Sequence, residues 1–124
     1  MKLAREEFEK TVIAVIQRLP QFVKEKMENV DVVIESQVSS SLVSEMGLRS
    51  PYDLLGLYQG VPIDQRGFYY GNVLPDKITL FQLSIESVCN TKEEIQEKIR
   101  EVVIHEVGHY FGLDEEKLEE LEGE

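Results

Sequence analysis

Phe8, Val12, Val15, Ile16 and Leu19 recur at the i, i+4, i+7, i+8 spacing of one helical face, so residues 3 to 19 read as an amphipathic helix that Pro20 closes. Phe22, Val23 and Met27 predict a short second helix after that proline. The run Val30-Asp31-Val32-Val33-Ile34-Glu35 is β-branched and alternates, which predicts a strand. Residues 36 to 53 are rich in Ser and include Gly47 and Pro51; they read as a connection with a helical turn around Leu42 to Met46. Leu54 to Gly60 and Lys77 to Leu83 are the second and third predicted strands. Between them, Gly60 to Asp76 holds three glycines and two prolines interleaved with Phe68, Tyr69 and Tyr70, and reads as a loop with room for a short edge strand.

A long helix is predicted to start after Thr91, which has the capping-box spacing with Glu94. Ile95, Ile99, Val102, Val103 and Tyr110 form its apolar stripe, and Gly112 stands where a left-handed terminator is needed. A short acidic helix through Leu118 and Leu121 ends the chain. At 124 residues and 42% hydrophobic, the expectation is a single domain, residues 1–124, around one core.

Charge narrows the function. The net charge is -11, and residues 114 to 124 alone carry seven carboxylates against Lys117. Binding to nucleic-acid backbones or to an anionic membrane surface depends on Lys and Arg meeting phosphates, so neither partner is expected. The segment from Met1 to Phe8 lacks a signal-peptide apolar run, and no stretch approaches a membrane span, so the expected location is the cytoplasm. The single Cys89 has no partner for an internal disulfide and reads as a small buried hydrophobe.

The chemistry is concentrated in His105-Glu106-Val107-Gly108-His109. Histidines at i and i+4 share one helical face a turn apart, which lets two imidazoles aim at one point, and that point suits a zinc ion. Glu106, next to the first histidine, is placed to contact a water at the metal, where a carboxylate accepts a proton during attack on a carbonyl and passes it to the leaving amine. Accidental occurrence of H-E-x-x-H is expected in roughly one in several hundred chains of this length, so a pair of ordinary surface or core histidines is the weaker reading. Helical rotation also puts Glu106 within the apolar stripe, where an ionised carboxylate is costly without a partner. With no third histidine, the third metal ligand is a carboxylate, a Tyr or Cys89; six residues after His109, beyond the turn at Gly112, stands Glu115, the expected ligand, with the adjacent Asp114 as the alternative. Asp114, the adjacent carboxylate, is a preferred N-cap for the last helix. With only two histidines in the chain, a three-histidine site is excluded.

On these residues the chain resembles zincin-like metallopeptidases, most closely very small bacterial proteins with H-E-x-x-H-x-F-G-x-x-D. Phe111 and Gly112 fit that pattern, as do Leu55 to Gly60 and Pro75 to Phe81; position 115 departs from it, with Glu in place of Asp. The resemblance spans about residues 50 to 118. It implies an α+β, zincin-like fold with the motif helix and N-terminal helix on a small twisted mixed sheet, zinc on His105 and His109, and Glu106 as general base. Peptide-bond hydrolysis is the expected activity, with a peptide or unfolded protein segment lying along a sheet edge near residues 66 to 72. A non-catalytic peptide- or protein-binding module on the same scaffold is the alternative, and an acidic interaction protein with an accidental motif the third reading. Gly108 inside the helix predicts close packing against another backbone. Tyr58, Tyr69, Tyr70 and Tyr110 are candidates for oxyanion stabilisation, each better explained by packing.

Overall fold

A computed structural model describes residues 1–61 and 75–123. Its elements, in chain order, are α1 (Arg5–Gln17), α2 (Gln21–Lys26), β1 (Val30–Glu35), α3 (Ser40–Met46), a 3-10 turn (Pro51–Asp53), β2 (Gly56–Gln59), β3 (Asp76–Phe81), α4 (Gln82–Ser87), α5 (Lys92–Tyr110) and α6 (Glu115–Glu122). The architecture is α+β. Among the described residues β3 lies in the middle of a three-stranded sheet ordered β1-β3-β2, parallel to β1 and antiparallel to β2.

The register fixes which side chains share a face. Val32 pairs with Ile78 and Ile34 with Leu80, while Gly56 and Tyr58 of β2 stand opposite Leu80 and Ile78. Side chains two residues apart on a strand point the same way, so these residues line one face. Onto that face come Phe8, Val12 and Val15 of α1 and Ile95, Ile99, Val103 and Ile104 of α5, all in one buried cluster. The stripe read from α1, and that read from α5 as far as Val103, therefore belong to the core.

The third predicted strand ends sooner than its apolar run. Gln82 and Leu83 begin α4, a helix with no side-chain N-cap hydrogen bond. Its polar residues are buried because the N-terminal segment docks on them: Leu3 N–H donates to Glu86 Oε2 at 2.8 Å, and Gln82 Nε2 donates to the Leu3 carbonyl at 3.0 Å. Cys89 follows α4 and is buried, as expected, and burial with the nearby Glu94 carboxylate pushes its thiol pKa up. No helix among the described residues is long and apolar enough to cross a membrane.

Candidate functional site

The motif segment occupies the last turns of α5. Thr91 caps that helix by accepting from Glu94 N–H, while the Glu94 carboxylate accepts from Asn90 N–H, one residue before the cap, in place of the reciprocal bond to Thr91 N–H that a capping box has. At the other end the chain leaves through a Schellman turn: Leu113 N–H donates to the Gly108 carbonyl at 2.8 Å and Gly112 N–H to the His109 carbonyl at 3.1 Å, with Gly112 at φ 78°. His105 and Glu106 are half-buried at the border of the apolar face and His109 is exposed. The two imidazole centroids are 5.3 Å apart, their planes tilted by 52°.

β2 runs alongside this helix in register. A Cβ on Gly56 would lie 2.5 Å from Val102 Cγ1, Tyr58 N–H donates to Glu106 Oε1 at 3.1 Å, and a Cβ on Gly60 would lie 2.3 Å from the Tyr110 hydroxyl. Two strand residues advance about 6.7 Å and four helical residues about 6 Å, so steps of two along β2 meet steps of four along α5. The Phe81 N–H bond to the Leu55 carbonyl turns the backbone groups of Leu55, Leu57 and Gln59 towards β3. Those of Gly56 and Tyr58 consequently face away from β3, on the side where no strand pairs with β2 among the described residues. Glu106 takes one of these donors. The partner that holds its carboxylate is thus a strand amide, which removes the need to invoke a metal on grounds of burial alone.

From Glu106 and His105 a groove of about 270 Å³ runs between the β2 side and α5, walled by Leu54, Leu55 and Val102 and reaching Asp53, Lys98 and Glu101 at its far end. A carboxylate beside a histidine, at the mouth of an open groove along a strand edge, is an arrangement suited to acid–base chemistry on an extended chain.

The family model for zincin-like metallopeptidases matches residues 27–124, from the end of α2 through the last helix. The chain belongs to the zincin-like metallopeptidase family. A solved structure of a conserved hypothetical protein from Thermus thermophilus is similar to this zincin-like chain, with a TM-score of 0.52 and 19% identity, covering 87% of this chain and 94% of that one. That likeness concerns the fold. No curated protein matches the zincin-like chain significantly.

Family membership implies zinc in general terms, and the donor chemistry of this zincin-like chain can be compared with it. Two imidazoles bound to one tetrahedral ion at about 2.0–2.1 Å have ring centroids about 5 Å apart, close to the spacing of His105 and His109. Among the described residues no cluster of three His, Cys, Asp or Glu donors forms. The side chain of Glu115 lies outside the described residues, as does the edge expected at 66 to 72. The backbone of Glu115 opens α6 directly after the Schellman turn. Asp114 is the N-cap of α6: its Oδ1 accepts from Lys117 N–H at 2.9 Å. Asp114 is therefore engaged by the helix end.

Of the tyrosines, Tyr69 and Tyr70 lie outside the described residues. Tyr58 stacks on Tyr110 with centroids 4.0 Å apart, and its hydroxyl donates to Asp76 Oδ2 at 2.6 Å, so packing and pinning account for it. Tyr110, expected in the apolar stripe, is 48% exposed. Asp76, buried, also accepts from Val61 N–H at 3.0 Å and so ties the end of β2 to the start of β3. Nothing in the sequence marks that role, since Asp76 reads only as a loop residue. The backbone donor of Tyr58 is equally silent. Gly56 and Gly60, on one strand face four apart, are the available signal that a helix lies against β2. Gly108 does meet a close neighbour, but a side chain rather than a backbone: its Cβ would lie 2.0 Å from Leu118 Cδ2 of α6.

Proposed function

We propose that this chain is a zinc-dependent peptidase in which Glu106 is the general base, His105 and His109 hold zinc with Glu115 as third ligand, and an extended peptide or unfolded segment lies in the groove between β2 and α5. The observation that carries this reading is the Glu106 carboxylate, held at the groove mouth beside His105 by the Tyr58 amide. Zinc, when bound, supplies polarisation of the scissile carbonyl and acidification of the attacking water.

The chain's own groups do the rest. With Oε1 fixed by Tyr58 N–H, Glu106 presents Oε2 to the water, accepts its proton, and returns that proton to the nitrogen of the departing amine. The groove is open, so short peptides and unfolded segments suit it better than folded proteins.

The test compares wild type and Glu106→Gln, both zinc-loaded, on a mixture of short peptides. Glutamine keeps the side-chain shape and an acceptor for Tyr58 but cannot act as base. Turnover should fall roughly 10² to 10⁴-fold with zinc content unchanged. Equal hydrolysis by the two proteins, or none by wild type, would count against the peptidase reading and leave the non-catalytic alternative.

A further inference from the structure

The far end of the groove has a composition that Glu106 chemistry does not require. Its walls are Leu54, Leu55 and Val102, but its rim carries the carboxylates of Asp53 and Glu101 with the ammonium of Lys98. Counting Glu106, three carboxylates line the groove against one ammonium among the described residues. Lys98 Nζ lies 2.9 Å from Glu101 Oε2, with the two side chains 30% and 46% exposed, so the pair engages both residues but is a weak one that a competing peptide cation can exchange into at Glu101. Asp53 is held differently: Oδ2 accepts the backbone N–H groups of Arg49 and Ser50, both at 3.1 Å, as part of the capping box of the 3-10 turn. Its carboxylate is therefore ordered before any ligand arrives, which lowers the entropic cost of using it.

We propose that this end of the groove is a subsite for a cationic side chain, Lys or Arg, of the bound peptide, selected by Asp53 and Glu101. The proposal deepens the peptidase reading and rests on it for the placing of the peptide beside Glu106. Glu101 precedes Glu106 by five residues, about 7.5 Å along the helix axis, a separation suited to a residue close to the scissile bond whose side chain runs along the groove. The flexible four-carbon stem of Lys, or the stem of Arg, covers Leu54, Leu55 and Val102 while the charged head reaches the rim. An acidic side chain would face three carboxylates against one lysine. A purely apolar one would fill the walls and leave the rim carboxylates without a new partner.

The experiment measures binding and cleavage separately. Short alanine-based, fluorescein-labelled peptides carry Lys, norleucine or Glu at each position in turn; norleucine keeps the apolar stem without the charge. Binding is measured by anisotropy on zinc-loaded Glu106→Gln, and cleavage on zinc-loaded wild type. At one position Lys should bind roughly 3- to 10-fold more tightly than norleucine, with Glu weakest, as expected for a cation meeting two partly exposed carboxylates. The preference should shrink as salt is raised. Adding Asp53→Asn and Glu101→Gln should bring Lys down to the norleucine level and leave norleucine binding unchanged; Asn retains an oxygen for the capping box. No Lys preference in binding, or a preference that survives both substitutions, overturns the subsite whether or not hydrolysis occurs. Cleavage absent with the Lys preference intact refutes the peptidase reading alone.

Discussion

Gly108 and Leu118 provide a test of how the motif helix is joined to the C-terminal helix. Replacing Gly108 by Ala adds a methyl whose Cβ would stand 2.0 Å from Leu118 Cδ2 and 3.2 Å from its Cγ, inside a contact where Leu118 is fully buried. Either Leu118 leaves its rotamer or α6 moves. Overpacking of this kind costs about 1–3 kcal/mol. Against it, Ala in place of Gly within a helix gains about 1 kcal/mol. Gly108→Ala alone should therefore lower stability by about 0–2 kcal/mol. Leu118→Ala should cost about 2–5 kcal/mol through lost burial and the cavity left. When Leu118→Ala is already present, the new methyl enters vacated space, so the same Gly108→Ala substitution should become stabilising by about 1 kcal/mol. Urea unfolding of the wild type, both single variants and the double variant gives the cycle. The reasoning fails if Gly108→Ala stabilises equally in both backgrounds, because the glycine would then not be required by Leu118.

Three further outcomes follow from the same geometry. Asp114→Ala should cost about 0.5–2 kcal/mol of stability as a lost N-cap, measured by urea, while Glu115→Ala should weaken zinc binding far more than Asp114→Ala does; the reverse order in zinc titration would overturn the ligand assignment. Tyr58→Phe keeps the ring stacked on Tyr110 but removes the donor to Asp76, at about 1.5–3 kcal/mol for a hydrogen bond to a charged group, so thermal unfolding should shift down while zinc affinity stays unchanged; an unaltered midpoint would show that the bond carries nothing. Cys89, with its thiol pKa raised by burial, should react with a thiol reagent at neutral pH only as fast as the chain opens, and because the raised value belongs to the folded state, its stabilising contribution holds below the ordinary 9.0 and is lost as pH rises past it; fast labelling of the native protein at neutral pH would contradict this.

The parts of the fold carried by local periodicity were readable from residues alone. Phe8, Val12 and Val15 marked the buried face of α1, the Thr91 and Glu94 pair marked the start of α5, and Gly112 and Asp114 marked the turn and cap that follow it. What escaped depends on contacts between distant segments. α4 was hidden because Leu80, Phe81 and Leu83 continue a strand-like apolar run and the helix has no side-chain cap; it is held by Gln82 and Glu86 bonding to Leu3. β3 takes β1 on one side and β2 on the other, and that order turns the Tyr58 amide away from β3 and towards Glu106. The candidate histidines and glutamate stood out through helical spacing, whereas Asp53, Lys98 and Glu101 come to the groove beside His105 and Glu106 only once the 3-10 turn and β2 are laid against α5.

The central claim is that His105 and His109 hold zinc on a fold that stands without it. Equilibrium dialysis against zinc, followed by metal analysis of wild type, His105→Ala and His109→Ala, tests it most directly, with far-ultraviolet circular dichroism recorded on each protein before and after chelation. The account predicts about one zinc per wild-type chain, loss of that zinc in either variant, and helical signal retained throughout. Wild-type protein that takes up no stoichiometric zinc, or variants that bind it as well as wild type, would contradict the account.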